Sequence, residues 1–206
     1  MKWGTRYNAD YVNKLYAGIL RNTTWKITFY CFTDDGSGLH PDIKVEKLEE
    51  GWKRWWGKVT LFNVNIPGRK FYIDLDMIVT GSLDKLFAYE GEFATLRTGD
   101  LFCEKNHKEG YNSSVMIWSG DNLKPVYEHL KSNFDVITKF IVRFDFWLEM
   151  NIANANYVQA LYPGAVIDFL ADAKETLPEG SSVVCFARKP KPEDYPAPWV
   201  KEYWVL

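Results

Sequence analysis

The chain has 206 residues, a formal net charge of -2, 47% apolar and 25% charged residues. Those values suit one soluble domain with a sizeable core. The near-neutral balance gives no reason to expect nucleic acid or an anionic membrane as the main partner.

Tyr11, Val12, Leu15, Tyr16, Ile19 and Leu20 recur at helical spacing, and Asn8 suits the N-cap of that helix. Lys26 to Thr33 is a continuous apolar and aromatic run that stops at Asp34-Asp35-Gly36-Ser37-Gly38. It reads as a buried strand followed by a turn. Ile43 to Leu48 reads as a short alternating strand, and Trp55 to Phe62 as a short helix. Arg69 to Val79 reads as a buried strand that carries Asp74 and Asp76. Tyr111 to Trp118 is the next strand-like run. Leu123, Val126, Tyr127 and Leu130 then mark an amphipathic helix with Pro125 in its first turn. Ile141 to Met150 reads as a helix with Phe144, Trp147 and Leu148 on one face. Ala165 to Leu170 and Ser182 to Phe186 are two late strands, and Lys189-Pro190-Lys191-Pro192 opens an irregular end. Strands alternating with helices predict an α/β fold with a mixed, mostly parallel sheet flanked by helices. No repeat or linker divides residues 1-206, so one domain is expected.

Aromatics reach 17%, with nine tryptophans, which invites sugar stacking. A core position remains the simpler reading for any one of them, Trp118 and Trp147 included. Cys31, Cys103 and Cys185 have no metal-type spacing, and an odd, sparse count suits a reducing compartment. Cys31 and Cys185 fall in apolar runs and read as buried thiols. His40, His107 and His129 do not cluster. No stretch is long enough to span a bilayer and no signal-peptide core is present. The expected location is therefore cytoplasmic, for this chain alone or as a domain of a larger protein.

The densest chemistry lies in Asp74 and Asp76. Two apart in an extended backbone, both side chains point the same way. Burying two like charges on one face is costly unless something positive lies between them. A hard divalent cation such as Mn²⁺ or Mg²⁺ answers that need, and it would arrive carrying phosphate oxygens. In open α/β sheets, ligands bind beyond the carboxyl ends of strands, where this pair falls. Asp-x-Asp alone is a weak motif. The alternative is a solvated turn, against which Met77-Ile78-Val79 continues as buried-type sequence.

A wider set of segments carries a resemblance. These are Lys2-Trp3-Gly4-Thr5-Arg6-Tyr7, Tyr11 to Tyr16, Cys31 to Asp35, Trp55-Trp56-Gly57-Lys58, Tyr72 to Asp76, Gly81 to Asp84 and Asn112 to Met116. In this order they resemble the glycosyltransferases of GT-A fold, in particular the family 8-like (glycogenin-like) nucleotide-sugar transferases. A narrower resemblance is to virus-encoded capsid-glycosylating transferase domains, which would act in the host cytoplasm. The resemblance implies that Thr5, Arg6, Tyr7 and Asn8 hold the nucleobase and ribose. It implies that Lys58 lies near the donor phosphates or sugar, that Lys191 approaches the diphosphate and that Asn112 lies near the donor sugar. Asp74 and Asp76 would bind the metal, with Asp74 also contacting ribose. A nucleotide-diphosphate sugar, most simply a UDP-sugar, would be the donor, and a hydroxyl of a glycan or glycoprotein the acceptor. Charge from the metal and the two lysines would stabilise the departing diphosphate.

Two positions depart from the family pattern. Ala187 stands where a histidine would supply a third protein ligand, and alanine cannot ligate. Arg188 beside it could add charge near the diphosphate. Asp145-Phe146 stands where the pattern has Asp-Gln, and the absent glutamine leaves retention or inversion open. An inverting enzyme needs a carboxylate base, for which Asp145 is the first candidate and Asp100 the second. The polar loop from Gly99 to Gly110 could act as an acceptor or lid segment. The rival readings are a nucleotidyltransferase, against which Trp3-Gly4-Thr5-Arg6 lacks a glycine run, and a degenerate sugar-binding or nucleotide-binding domain.

Overall fold

The computed structural model describes residues 1–101 and 108–206. Cys103, His107 and the middle of the Gly99–Gly110 loop lie outside the described residues. Helix α1 (Ala9–Arg21) starts where Asn8 caps it, its side-chain oxygen accepting from the Tyr11 amide at 3.4 Å. Its buried face is Tyr11, Val12, Leu15, Tyr16 and Ile19, as the spacing predicts, whereas Leu20 turns to solvent at 47% exposure. Strands β1 (Tyr30–Thr33) and β2 (Lys44–Lys47) form a parallel pair. Both are shorter than the runs that foretold them. β2 is exposed throughout, Val45 included, so its alternation does not mark a buried face. Residues Lys26–Phe29 stay outside any strand. A strand needs a ladder partner, and β2 reaches that run only through the Lys44 amide on the Phe29 carbonyl at 2.9 Å.

A 3₁₀ segment, Arg54–Asn63, replaces the expected α-helix and buries Trp56, Val59, Leu61 and Phe62. It leads to β3 (Arg69–Ile73) and β4 (Met77–Val79), and then to a single helical turn, α2 (Asp84–Phe87). β5 (Phe93–Arg97) and β6 (Tyr111–Ser119) follow. Next come α3 (Lys124–Phe140), α4 (Phe144–Asn151), the short β7 (Asn156–Tyr157) and α5 (Val158–Leu161). β8 (Val166–Asp168), β9 (Val183–Cys185) and α6 (Pro198–Tyr203) close the order.

One sheet has the order β3-β6-β5-β7 and another β4-β9-β8. Among the described residues, three of the six strand pairings are parallel and three antiparallel. The sheets are thus mixed but not mostly parallel, because the long β6 has antiparallel neighbours on both sides. β6 is buried on both faces, which is why it reads as an unbroken apolar run. α1, β4, β8 and β9 share one apolar core, and the 3₁₀ segment, α3 and α4 pack a second one against β6. Cys31 and Cys185 are buried free thiols, and Trp118 and Trp147 are core residues. His129 lies on exposed α3 surface against the Trp147 ring. No helix among the described residues is long and apolar enough to cross a membrane.

The stretch that carries the two carboxylates is not one strand. β3 ends at Ile73 and pairs with β6, while β4 begins at Met77 and pairs with β9 in the other sheet. Asp74, Leu75 and Asp76 form the turn between them. The side chains therefore do not share a face through extended-strand alternation. They share a cleft because the chain changes sheets between them.

Candidate functional site

A cleft of about 450 Å³ opens at this turn. Four cationic side chains (Arg6, Lys58, Arg143, Arg188) and three carboxylates (Asp74, Asp76, Asp145) line it, with Asn112 among them. Each carboxylate of the pair has one lysine and one tyrosine. Lys58, from the 3₁₀ segment, places Nζ 2.8 Å from Asp74 Oδ1 and 2.9 Å from Oδ2. The same ammonium reaches the Ser113 carbonyl and hydroxyl at 3.3 Å. Tyr72 donates to Asp74 Oδ1 at 2.5 Å. On the other side, Lys191 Nζ lies 2.7 Å from Asp76 Oδ2 and donates to the Phe186 carbonyl at 2.6 Å. Tyr7 donates to Asp76 Oδ2 at 2.9 Å.

Burial pushes the Tyr72 phenol well above its ordinary range, and the Asp74 charge adds to the shift. Tyr7 is raised in the same way, by burial first and then by Asp76. Both phenols stay neutral donors at ordinary pH, so neither adds a negative charge beside the pair. The two lysine side chains keep only 12% and 9% of their exposure. They are therefore ion-pair partners inside the protein and not solvated surface charges.

Asp145, in the first turn of α4, accepts the Ser113 amide at 3.0 Å. That bond fixes one carboxylate oxygen against β6 and presents the group to the cleft. Asn112 is buried at 9% exposure, and its Oδ1 accepts the Ser114 amide at 3.0 Å. Arg188 reaches Asp168, buried at the end of β8, at 3.3 Å. Burial raises the Asp168 carboxyl above its usual range, and the arginine opposes that shift.

Of the residues named from sequence, Arg6, Tyr7, Lys58, Asp74, Asp76, Asn112 and Asp145 line the cleft. Lys191 joins it through Asp76. Thr5, Asn8 and Asp100 are not among its lining residues. Thr5 is exposed, and Asn8 is committed to capping α1. Asp100 is paired with Arg97, at 2.9 Å from Nε and 3.1 Å from Nη2. Sequence reasoning missed Tyr72, Ser113, Trp3 and Trp55, which also line the cleft. Tyr72 had a usable signal, since it lies two residues before Asp74 and so on the same side of that strand. Trp3 and Trp55 are 46% and 41% exposed, and nothing in their spacing sets them apart from core tryptophans.

Ala187 lines the cleft, so a methyl group stands there. No group of three or more metal-ligating side chains occurs among the described residues. The donor set that remains is two carboxylates, each already sharing its charge with a lysine. Such a pair fits a hard, oxygen-seeking cation that brings most of its other ligands with it.

No family model matches the chain, and no curated protein matches it in sequence. Solved structures match it across nearly its full length. The glycosyltransferase GlyE of Streptococcus pneumoniae TIGR4 superposes with a TM-score of 0.67 at 14% identity. That match covers 98% of this chain and 58% of GlyE, so the chain spans less than two thirds of that protein. An active-site mutant of LgtC gives 0.66 at 14% identity over 94% of this chain and 89% of its own. The galactosyltransferase LgtC in complex with donor and acceptor sugar analogs gives 0.55 at 15% identity, over 89% and 85%. The chain thus has the fold of GT-A glycosyltransferases, mixed sheets flanked by helices. The resemblance to virus-encoded domains gains no support from these structures.

Proposed function

We propose that residues 1-206 act as one GT-A domain that transfers a sugar from a nucleotide-diphosphate sugar, most simply a UDP-sugar, to a hydroxyl of a glycan or glycoprotein. The observation that carries this reading is the cleft at the sheet change, where Asp74 and Asp76 open beside Lys58, Lys191, Asn112 and Asp145. A diphosphate fits there because Lys58 and Lys191 bring their ammonium groups to the carboxylate pair, and Arg6, Arg143 and Arg188 also line the cleft. Arg6 and Tyr7 would hold the nucleoside end, and Asn112 the sugar. Asp74 and Asp76 would hold Mn²⁺ or Mg²⁺, which when bound supplies positive charge to the diphosphate.

In the transfer, the bond between the anomeric carbon and the diphosphate oxygen breaks, and the electron pair leaves with the nucleotide. The acceptor oxygen bonds to the anomeric carbon and gives up its proton. Lys58 and Lys191 stabilise the charge that develops on the leaving group. In an inverting transfer Asp145, whose carboxylate accepts the Ser113 amide, would take the acceptor proton.

A thermal-shift screen of nucleotide sugars, each with and without Mn²⁺, tests the donor, because a ligand bound to the folded state raises the melting temperature. Incubation of the stabilising donor with metal should then release the nucleoside diphosphate slowly by hydrolysis. Pyrophosphate-dependent formation of a nucleoside triphosphate would instead support a nucleotidyltransferase. Turnover and nucleotide-dependent metal binding that survive Asp76→Ala would overturn the catalytic reading.

A further inference from the structure

Trp55 and Lys58 both line the carboxylate cleft, and both belong to the 3₁₀ segment Arg54–Asn63. A 3₁₀ helix turns once in three residues, so side chains three apart eclipse one another. Trp55 therefore projects on the same edge as Lys58, one turn and about 6 Å before it. Trp56 and Val59, also three apart, share a different edge and are buried at 6% and 0% exposure. Of two neighbouring tryptophans, one fills the core and the other stays 41% exposed in the cleft.

A single exposed aromatic needs no explanation by itself. The backbone beneath this one does. Arg54 has a φ of 55°, in the left-handed region, and no other non-glycine residue among those described has a positive φ. That region favours glycine, and a residue with a Cβ enters it at a cost in free energy. Such strain persists where the surroundings over-determine it, and it gathers at ligand sites. Here the strained residue starts the 3₁₀ segment and so sets which edge Trp55 occupies. Its guanidinium carbon also lies 5.8 Å from the Trp55 ring centre, over the indole. Past Lys58, the geometry leads to the carboxylate proposed as base. The Lys58 ammonium reaches the Ser113 carbonyl and hydroxyl at 3.3 Å, and the Ser113 amide donates to Asp145 at 3.0 Å.

We infer that Trp55 is the stacking platform of an acceptor subsite, and that the acceptor is a pyranoside and not the Ser or Thr hydroxyl of a polypeptide. A pyranose ring presents C–H bonds on its face and hydroxyls around its rim. The face of an indole is electron-rich and attracts the slightly positive C–H hydrogens. The rim hydroxyls stay free for the few polar groups that orient a ligand. A ring stacked on Trp55 would turn a rim hydroxyl toward the Ser113–Asp145 side of the cleft. A serine or threonine side chain has no such face and gains nothing from the indole. Trp3 is set apart, because it precedes Arg6 by three residues at the end of the cleft proposed for the nucleoside. The acceptor role rests on the transferase reading, whereas sugar binding at Trp55 is measurable without a donor.

The first test titrates a panel of methyl hexopyranosides into the full chain and into Trp55→Phe, with tryptophan emission as the readout. A change in the parent that is lost in Trp55→Phe supports the platform. No change in the parent, or the same change in both, overturns it. The second test measures transfer from the nucleotide sugar that most raises the melting temperature, with p-nitrophenyl hexopyranosides and a Ser/Thr peptide as acceptors. Trp55→Ala should raise KM for the pyranosides about 10-fold, the worth of one aromatic stacking contact, with a smaller change in kcat. Trp55→Phe should recover most of that loss, and the donor-induced melting shift should persist in both variants. An unchanged KM in Trp55→Ala, or a peptide that is the better acceptor, overturns the inference and leaves the donor reading intact. If no nucleotide sugar shifts the melting temperature, the donor reading fails, while an emission change lost in Trp55→Phe still supports the platform. Should Trp55→Ala not fold, the emission comparison with Trp55→Phe decides alone.

Discussion

Asp74 and Asp76 are two residues apart and are treated alike, yet their support comes from different parts of the molecule. Asp74 is held by Tyr72 and Lys58, two and sixteen positions away, within the β3–β6 sheet and the 3₁₀ segment. Asp76 is held by Tyr7 and Lys191, 69 and 115 positions away. One half of the pair is built locally on the central sheet. The other half is assembled from the two ends of the chain. The difference teaches that matched chemistry does not imply matched rigidity, and that the Asp76 side depends on long-range closure.

The largest expected effect comes from the carboxylates themselves. Asp74→Ala and Asp76→Ala should each lower turnover by about 100-fold or more, as loss of a group that stabilises leaving-group charge does. Thermal melts should separate them, with Asp74→Ala the less stable because it strands the Tyr72 phenol, buried on β3, whereas Asp76→Ala strands the half-buried Tyr7. Equal melts would erase the contrast drawn here. Next come the lysines. Lys58→Ala and Lys191→Ala each leave a mostly buried carboxylate without its cation, a loss of about 3 kcal/mol when such a pair is broken. Urea unfolding should show that loss for both. Exchange protection should fall around Pro192–Asp194 only in Lys191→Ala, and a change there in Lys58→Ala would break the comparison.

Metal binding sharpens the same contrast. Calorimetric titration with Mn²⁺ should show weak binding to the protein alone and much tighter binding with UDP present, because two lysine-paired carboxylates are a poor site by themselves. Tight binding without nucleotide would mean that further protein ligands exist. The smallest effect belongs to the phenols. Tyr7→Phe and Tyr72→Phe each remove one hydrogen bond to a carboxylate, about 1–3 kcal/mol. Their folded-state pKa values are raised, so the stability they contribute is fully present below about pH 10, the ordinary phenol value, and declines above it. Alkaline unfolding monitored by tyrosinate absorbance should be shallower in either variant than in the parent chain.

Much of this was legible in the sequence, for physical reasons that particular residues show. The α1 stripe from Tyr11 to Ile19 and the unbroken β6 run report burial directly, through their period or lack of one. The Asp74–Asp76 pair stood out because buried-type sequence flanks it on both sides. The change of sheet at that pair was not legible, since β3 and β4 differ only in which distant strand each one meets. Lys58 and Lys191 could be named by resemblance alone, and no local pattern tells a lysine that closes on a carboxylate from one in water. The Trp55 to Phe62 run reads as helical in either geometry, and the sequence does not separate 3₁₀ from α. For Lys26–Phe29, the apolar run predicts a strand that does not form, because strand conformation needs a ladder partner and sequence alone does not show whether one is there.

In the proposed metal site, the turn at Leu75 would bear on ion discrimination. Because Asp74 is anchored to one sheet and Asp76 to another, the gap between their carboxylates follows how the sheets are seated. Mg²⁺ demands near-ideal octahedral geometry at 2.0–2.1 Å, whereas Ca²⁺ accepts looser shells at 2.3–2.6 Å. Gly81 sits just beyond β4, where an added Cβ would come within 2.5 Å of the Ser181 carbonyl. A side chain there would wedge β4 away from its neighbours and, in the proposed metal site, would alter which cation size the pair prefers, from a position outside the cleft.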